Sequence, residues 1–243
     1  MKRTRKLWVI AIALGLLMAL PVAANAQETD TSGDRGTVHS IESIKARAQE
    51  AVDRRLDTLA NLERRVINHE YMTAVHKATL TADYADAVAG LITLNRDIQN
   101  AETVEELREL VPLIATDYRV YLVIVPKSYE VGASDRVAHV VSRFEDTADA
   151  LADAIDRAEA AGYDMTEARR WLISARDEIQ EARRTGVPVA NDVIDLDASD
   201  WEEPAKSMLE EGHRRLKNAR VDLRQAKGSL DMAKQAIEDA IGG

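Results

Sequence analysis

Cysteine is absent from the 243 residues, phenylalanine occurs once and proline five times. The lack of cysteine excludes a disulfide scaffold, a thiolate metal site, a cysteine nucleophile and a lipid-modified cysteine anchor. Aromatic residues make up 4% of the chain and glycine is scarce, which disfavours β-sandwiches and barrels. The remaining composition, 46% hydrophobic and rich in alanine, glutamate, arginine, aspartate and leucine, predicts an all-α fold.

The first 26 residues have the pattern of a secretory signal peptide. Basic residues precede the apolar run Leu7–Leu20, and Ala24-Asn25-Ala26 supplies the small residues that a signal peptidase requires. We expect cleavage after Ala26 and a secreted or cell-envelope-associated protein, with an uncleaved anchor as the alternative. Residues 27–37 are predicted to be a disordered leader because they offer nothing to bury, and residues 38–243 to be a single helical-bundle domain.

The chain is acidic, with 32 basic and 42 acidic residues. Cleavage after Ala26 would remove four basic residues and no acidic one, which leaves 28 against 42 and a formal net charge of −14. Such a protein is repelled by phosphate backbones and by anionic lipid surfaces. We therefore expect no binding to nucleic acid, and no membrane insertion after cleavage.

Six helices are predicted from apolar residues that recur every three or four positions. The first runs from Thr37 or Ser40 to His69, and Thr73 caps the second. The Thr103–Glu106 capping box opens the third helix, which Pro112 should kink or restart.

The last three predicted helices fill most of the C-terminal half. The fourth ends at Gly162, and Asp164 with Glu167 caps the fifth. The sixth starts at the Ser199–Glu202 capping box and continues to Ile241, which makes it about 60 Å long at 1.5 Å per residue. A helix of that length predicts an elongated antiparallel bundle with long coiled-coil-like helices.

The sixth helix carries a seven-residue repeat with one large and one small position. The large positions are Leu209, Leu216, Leu223, Leu230 and Ile237, and the small ones are Gly212, Ala219, Ala226, Ala233 and Ala240. The fifth helix repeats the scheme with Met165, Leu172 and Ile179 against Ala168, Ala175 and Ala182. Such repeats let helices approach closely, so we expect the two to pair within one chain. The alternative to this monomer is a homodimer through the 209–241 seam.

The run Val120–Val125 is ambiguous because its six apolar residues are rich in β-branching and end at Pro126. That composition is typical of a buried strand. A lone strand has no partner for its hydrogen bonds, and the chain offers no second strand. We therefore interpret the run as the most buried helical turn.

A central block of the chain consists of Asp117–Tyr121 (DYRVY), Pro126-Lys127 and Ala133–Arg136 (ASDR). Together with Asp53–Leu56, Gly90-Leu91 and Ala219–Leu223, this block resembles a family of uncharacterised exported all-helical, coiled-coil-like proteins of high-GC Gram-positive bacteria. The resemblance covers about residues 38–241 and departs at Ser134, where the family has alanine, and at the polar residues 128–130. The resemblance implies a helical fold and export, and it transfers no active site.

The sequence lacks the common motifs of catalytic, nucleotide-binding and helical metal sites. The sequence has no G-x-S-x-G elbow, P-loop or G-x-G-x-x-G, and no two histidines lie four residues apart as a helical metal site requires. We therefore expect no enzyme and no cofactor. The best metal candidates are acids before the sixth helix: Asp195, Asp197, Asp200 and Glu202. Oxygen ligands suit Ca²⁺, but acids at a helix start are also stabilising without a metal.

The central segment is the best candidate for an interaction surface because it concentrates aromatic and basic residues in an acidic chain. Its candidate residues are Tyr118, Arg119, Tyr121, Lys127, Asp135 and Arg136. Tyrosine and arginine are common at interfaces, although near a kink they also find partners inside a fold. The favoured function is a non-enzymatic structural or protein-interaction bundle with a protein partner. The alternative is an exported protein that binds a small ligand or a cation.

Overall fold

The computed structural model describes residues 33–242, and its regular elements there are all helical, as predicted. In this part of the chain the α-helices are α1 (Gly33–Ile67), α2 (Ala74–Asn100), α3 (Val104–Thr116), α4 (Val125–Ala160), α5 (Thr166–Gly186), α6 (Val189–Val193) and α7 (Ala205–Gly242). At 38 residues α7 is about 57 Å long, so the bundle is elongated. The predicted signal peptide 1–26 and residues 27–32 of the leader lie outside the described residues.

Helices α1, α2 and α3 form one end of the molecule. The α1–α2 hairpin is antiparallel, since the Lys45 ammonium donates to the Gln99 carbonyl at 2.8 Å and the Asn95 amide donates to Gln49 at 2.7 Å. The hairpin buries one apolar stripe from each helix: Val52, Leu59 and Leu62 from α1, and Leu80, Leu91 and Ile98 from α2. The Thr103–Glu106 capping box at the start of α3 is confirmed.

Helices α4, α5 and α7 form the other end. Antiparallel ion pairs connect α4 to α5, as between Arg176 and Asp149 at 2.9 Å, and Ser229 of α7 donates to Glu178 of α5 at 2.8 Å. Every predicted large and small position of the seam is buried except Ala240, which is partly exposed. The pairing of α5 with α7 within one chain is therefore confirmed, and α5 fills the seam that the homodimer alternative would use.

Helix α4 belongs to both ends because it is long enough to run through the junction between them. Near its start, Ser128 accepts a hydrogen bond from Tyr84 of α2 at 2.6 Å. Two turns later, Ser134 donates to the Gly186 carbonyl at the end of α5 at 2.9 Å. The junction is thus built around residues 127–137 of a single helix.

Several predicted helix ends are wrong. The first helix begins at Gly33 rather than Thr37 or Ser40, inside the predicted leader, since no proline stops its first turns. Helix α3 does not restart at Pro112 but continues through it to Thr116. The predicted box at Ser199–Glu202 does not start α7, which begins at Ala205.

The run 120–125 is helical, as interpreted, but it is not the most buried turn. Val120–Ile124 form one turn of π-helix that leads directly into α4. Val120 and Val123 face the core, whereas the side chains of Tyr121 and Leu122 are almost half exposed. The wider turn therefore divides an apolar run between the core and the surface.

The tight approach of α5 to α7 gives a stability prediction. A Cβ added at Gly186 would lie 2.7 Å from Ala219 Cβ and 2.9 Å from Val137 Cγ1. Gly186→Ala should lower the free energy of unfolding by about 1 kcal/mol, because overpacking exceeds what alanine gains in helix propensity. Gly228→Ala is the matched control in α7, where a Cβ meets nothing within 4 Å, and it should stabilise by about 0.5–1 kcal/mol. Equal stabilisation of both variants in urea unfolding would contradict the tight crossing.

Candidate functional site

Two of the six candidate interaction residues lie inside the fold rather than on a surface. The ammonium of Lys127 is 3% exposed and donates to Asp83 Oδ2 at 2.5 Å and to the Leu196 carbonyl at 2.7 Å. Asp135 is 7% exposed and accepts from His76 Nδ1 at 2.8 Å and from the Thr73 amide at 2.9 Å. Both side chains are used to connect helices, because a buried charge requires a partner.

Of three further candidates, the two tyrosines contact their own chain and Arg119 has an unusual backbone conformation. The ring of Tyr118 packs against Gly90, where a Cβ would approach the ring to 2.5 Å. Arg119 adopts a left-handed backbone with φ 36° ahead of the π-turn. Tyr121 donates to the Arg54 carbonyl at 3.3 Å, and its ring lies beneath the guanidinium of Arg55. The sixth candidate, Arg136, stays exposed and borders a cleft.

The acidic connection forms a turn, and no metal cluster of three or more ligating side chains occurs among the described residues. Asp197 accepts from the amide and hydroxyl of Ser199 at 2.6 Å, and Asp200 accepts from the Asp197 amide at 2.9 Å. These carboxylates cap a short 3₁₀ turn at Ala198–Asp200. The structure thus gives Asp197 and Asp200 a local role, and it does not gather them with Asp195 and Glu202 into a metal site.

A cleft of about 560 Å³, which we name the junction cleft, lies where the two ends of the molecule meet. Its lining comes from the end of α1, the 68–73 loop, the first half of α4 and the middle of α7. The floor is apolar and includes Leu62, Val66, Met72 and Gly132. The rim is polar and includes Arg65, His69, Tyr71, Tyr129, Arg136 and Arg220. Clefts of this size at junctions commonly hold small ligands.

A second hollow of about 540 Å³ adjoins the junction cleft and shares Ala133, Arg136 and Arg220 with it. Its floor is again apolar, and Lys217 and Arg224 extend the basic rim along α7. Together the two hollows collect five cations, and none of them forms an ion pair with a carboxylate in residues 40–242. Glu70 is the one acid that lines either hollow. The groove is therefore locally positive in an acidic protein.

The side chains of the cleft are held by contacts with neutral groups. Arg65 donates to the Tyr129 hydroxyl at 2.6 Å, and the Arg136 guanidinium lies 5.7 Å from the centre of the Tyr71 ring. Tyr71 also stacks on His139, with ring centres 4.5 Å apart. Hydrogen bonds and cation–π contacts orient the guanidinium groups without neutralising them. Their charge stays available for an anion.

His69 presents a defined hydrogen-bond donor to the cleft. Its Nδ1 accepts the Met72 amide at 3.0 Å, so the neutral ring must carry its proton on Nε2. Burial lowers the pKa of His69, while the nearby Asp135 carboxylate acts in the opposite direction. The Nε2 edge of the ring packs against Gly132, and a Cβ added at Gly132 would lie 3.1 Å from Nε2. The cleft thus offers an N–H donor beside its guanidinium groups.

The 68–73 loop that carries His69 and Tyr71 is tied to α4 by the buried Asp135. This carboxylate accepts from Thr73 at the end of the loop and from His76 in the first turn of α2. Three of the five histidines, His69, His76 and His139, lie around this loop rather than on one helix face. Asp135 therefore belongs to the support of the cleft and not to its surface.

Most of the cleft was not anticipated from the sequence. Arg65, His69 and Tyr71 lie close together in the sequence but far from Arg220, and only Arg136 stood among the candidate residues. One signal was available: Lys217, Arg220 and Arg224 recur at spacings of three and four on one face of α7. That stripe identifies a basic helix face, but not what lies opposite it.

Comparisons of the chain with family models, with curated proteins and with solved structures gave no match. Within the described part of the chain, no helix combines the length and the apolar character that crossing a membrane requires. The fold and the cleft define a helical-bundle protein with a basic groove at its junction.

Proposed function

We propose that this is a non-enzymatic binding protein that holds an anionic ligand in the junction cleft, and that it acts after export. One observation carries the proposal: five cations line the junction cleft and the adjoining second hollow, whose floors are apolar, and none forms an ion pair with a carboxylate in residues 40–242. Unpaired guanidinium groups that converge on a cleft are suited to carboxylate or phosphate groups, which they bind through two parallel hydrogen bonds.

The geometry supports a ligand over the protein partner that the sequence favoured first. Lys127 and Asp135, which that hypothesis placed on the surface, are buried, and Tyr118 and Tyr121 contact their own chain. A cation ligand has less support, since Asp197 and Asp200 cap a turn and Asp192 pairs with Arg215 at 2.6 Å. An anion in the groove would supply the counter-charge that the described carboxylates do not.

The proposal is tested by titrating inorganic phosphate into the protein and following its amide NMR resonances. We expect saturable shifts for residues near 65–72, 132–136 and 217–224, and weaker binding at higher salt. Arg136→Gln and Arg220→Gln should each weaken binding about tenfold or more, because each removes a charge-assisted hydrogen bond.

Arg157→Gln is the matched control, since Arg157 is exposed on α4 far from the cleft and has no ion pair among the described residues. It should leave the affinity for phosphate unchanged. The absence of saturable shifts, or an equal loss in Arg157→Gln, would show that the groove has no specific anion site.

A further inference from the structure

The junction cleft and the second hollow form one groove with the same construction throughout. Each has an apolar floor, made by Leu62, Val66 and Met72 in the cleft and by Val137, Val140 and Leu223 in the hollow. Arg136 and Arg220 stand at the boundary and line both. Along α4 the groove runs from Ser128 to Val140, which is about 18 Å at 1.5 Å per residue.

We infer that the ligand is an amphipathic oxyanion, with a phosphate or carboxylate head and an unbranched hydrocarbon chain, lying along this groove. The inference rests on the proposed function and names its ligand class. A free inorganic anion would use the rim alone and leave the partly exposed Val140 and the rest of the apolar lining of the second hollow uncovered. A neutral hydrocarbon would cover the floors and leave the charges of Arg136 and Arg220 without a counter-ion.

The hydrogen-bond donors of the groove determine where the anionic head group binds. Arg136 and Arg220 belong to different helices and meet at the boundary, so they can hold an anion between them. His69, with its proton on Nε2, offers a neutral donor in the cleft. These groups are all donors, which favours a head group made only of acceptor oxygens. The chain then extends over Val137, Val140 and Leu223 in the second hollow.

The inference is tested with a homologous series of butyl, hexyl and octyl phosphate below their micelle concentrations, together with octanoate, octanol and inorganic phosphate. Isothermal titration calorimetry should show that each added methylene strengthens binding up to about fourfold, because each buries apolar surface. Octyl phosphate or octanoate should bind far more tightly than both inorganic phosphate and octanol.

Two variants separate the parts of the groove. Val140→Ser, at a partly exposed position of the second hollow, should reduce the gain from hexyl to octyl phosphate and leave inorganic phosphate binding unchanged. Arg220→Gln should weaken every anion of the series and leave octanol unchanged. Far-ultraviolet circular dichroism of both variants should match that of the wild type, which excludes loss of fold as the cause.

The outcomes distinguish this inference from the proposed function. If all phosphates bind with one affinity whatever their chain length, the anion site stands and the hydrocarbon chain is refuted. If octanol binds as tightly as octyl phosphate, the anionic head group is refuted. If no member of the series binds, both the inference and the proposed function fail.

Discussion

Replacing Asp135 by alanine should lower the free energy of unfolding by about 3–5 kcal/mol, because it removes two hydrogen bonds to a buried carboxylate. Asp135 is 7% exposed and accepts from His76 at 2.8 Å and from the Thr73 amide at 2.9 Å. Alanine leaves the partly buried imidazole of His76 and the Thr73 amide without this acceptor, and a donor that loses its partner costs more the more deeply it is buried. Urea unfolding at pH 7 measures the loss.

Asp146→Ala is the matched control for this prediction. Asp146 is exposed on the same helix, and no ion pair or hydrogen bond joins its carboxylate to another described side chain. Its replacement should change stability by less than about 0.5 kcal/mol. Equal stabilities of the two variants would mean that Asp135 does not tie the 68–73 loop to α4.

The regular parts of the fold could be predicted because their signals are local. The seam of α5 and α7 repeats every seven residues, and every member except Ala240 is buried. Thr103 and Glu106 lie within four residues of each other and form their capping box without help from the rest of the chain. Patterns of this kind depend only on helical geometry, so they survive in any tertiary context.

The start of α7 was mispredicted because two capping patterns overlap in the same residues. Ser199–Glu202 matches the capping-box pattern, but Asp197 and Asp200 form the cap there instead. That cap closes a three-residue turn, and α7 begins five residues later, at Ala205, once the chain has passed Pro204. The short helix α6 was also missed, since five residues are too few to show a period.

The candidate site could not be predicted because residues far away in the sequence determine which charged side chains are buried and paired and which stay exposed. Lys127 and Arg136 are similar in the sequence, both basic and nine residues apart on one helix. Lys127 is buried because Asp83 and the Leu196 carbonyl, 44 and 69 residues away, receive its ammonium. Arg136 stays exposed because it meets Tyr71 and α7 rather than an acid. Which charge is structural and which is available therefore depends on tertiary contacts.

Glu130 is the one buried carboxylate on the junction half of α4 that has no cation beside it. Its side chain is 6% exposed, and Oε2 has no hydrogen-bond partner. It faces the backbone of α7 at Gly212, where a Cβ would collide with Oε2. Burial raises the pKa of Glu130 from 4.5 to about 7.

A raised pKa makes stability depend on pH in a fixed direction. Below pH 4.5 the carboxyl is protonated in the folded and the unfolded chain, and folding meets no charge penalty. As pH rises from 4.5 to about 7, the unfolded chain ionises first, so the free energy of unfolding falls. Above about pH 7 the loss is complete. A shift of this size corresponds to about 3 kcal/mol, which relaxation around the charge reduces to about 2 kcal/mol.

Glu130→Gln should therefore match the wild type at pH 4.5 and exceed its free energy of unfolding by about 2 kcal/mol at pH 8, because glutamine does not ionise. Urea unfolding of both proteins across this range measures the difference between their free energies of unfolding. Groups that titrate alike in the two proteins contribute equally to both values and so do not affect this difference. Glu109→Gln, at an exposed position of α3, is the control and should change the free energy of unfolding by less than about 0.5 kcal/mol. A flat difference for Glu130→Gln would mean that the carboxylate is already ionised and stabilised in the folded protein at pH 5.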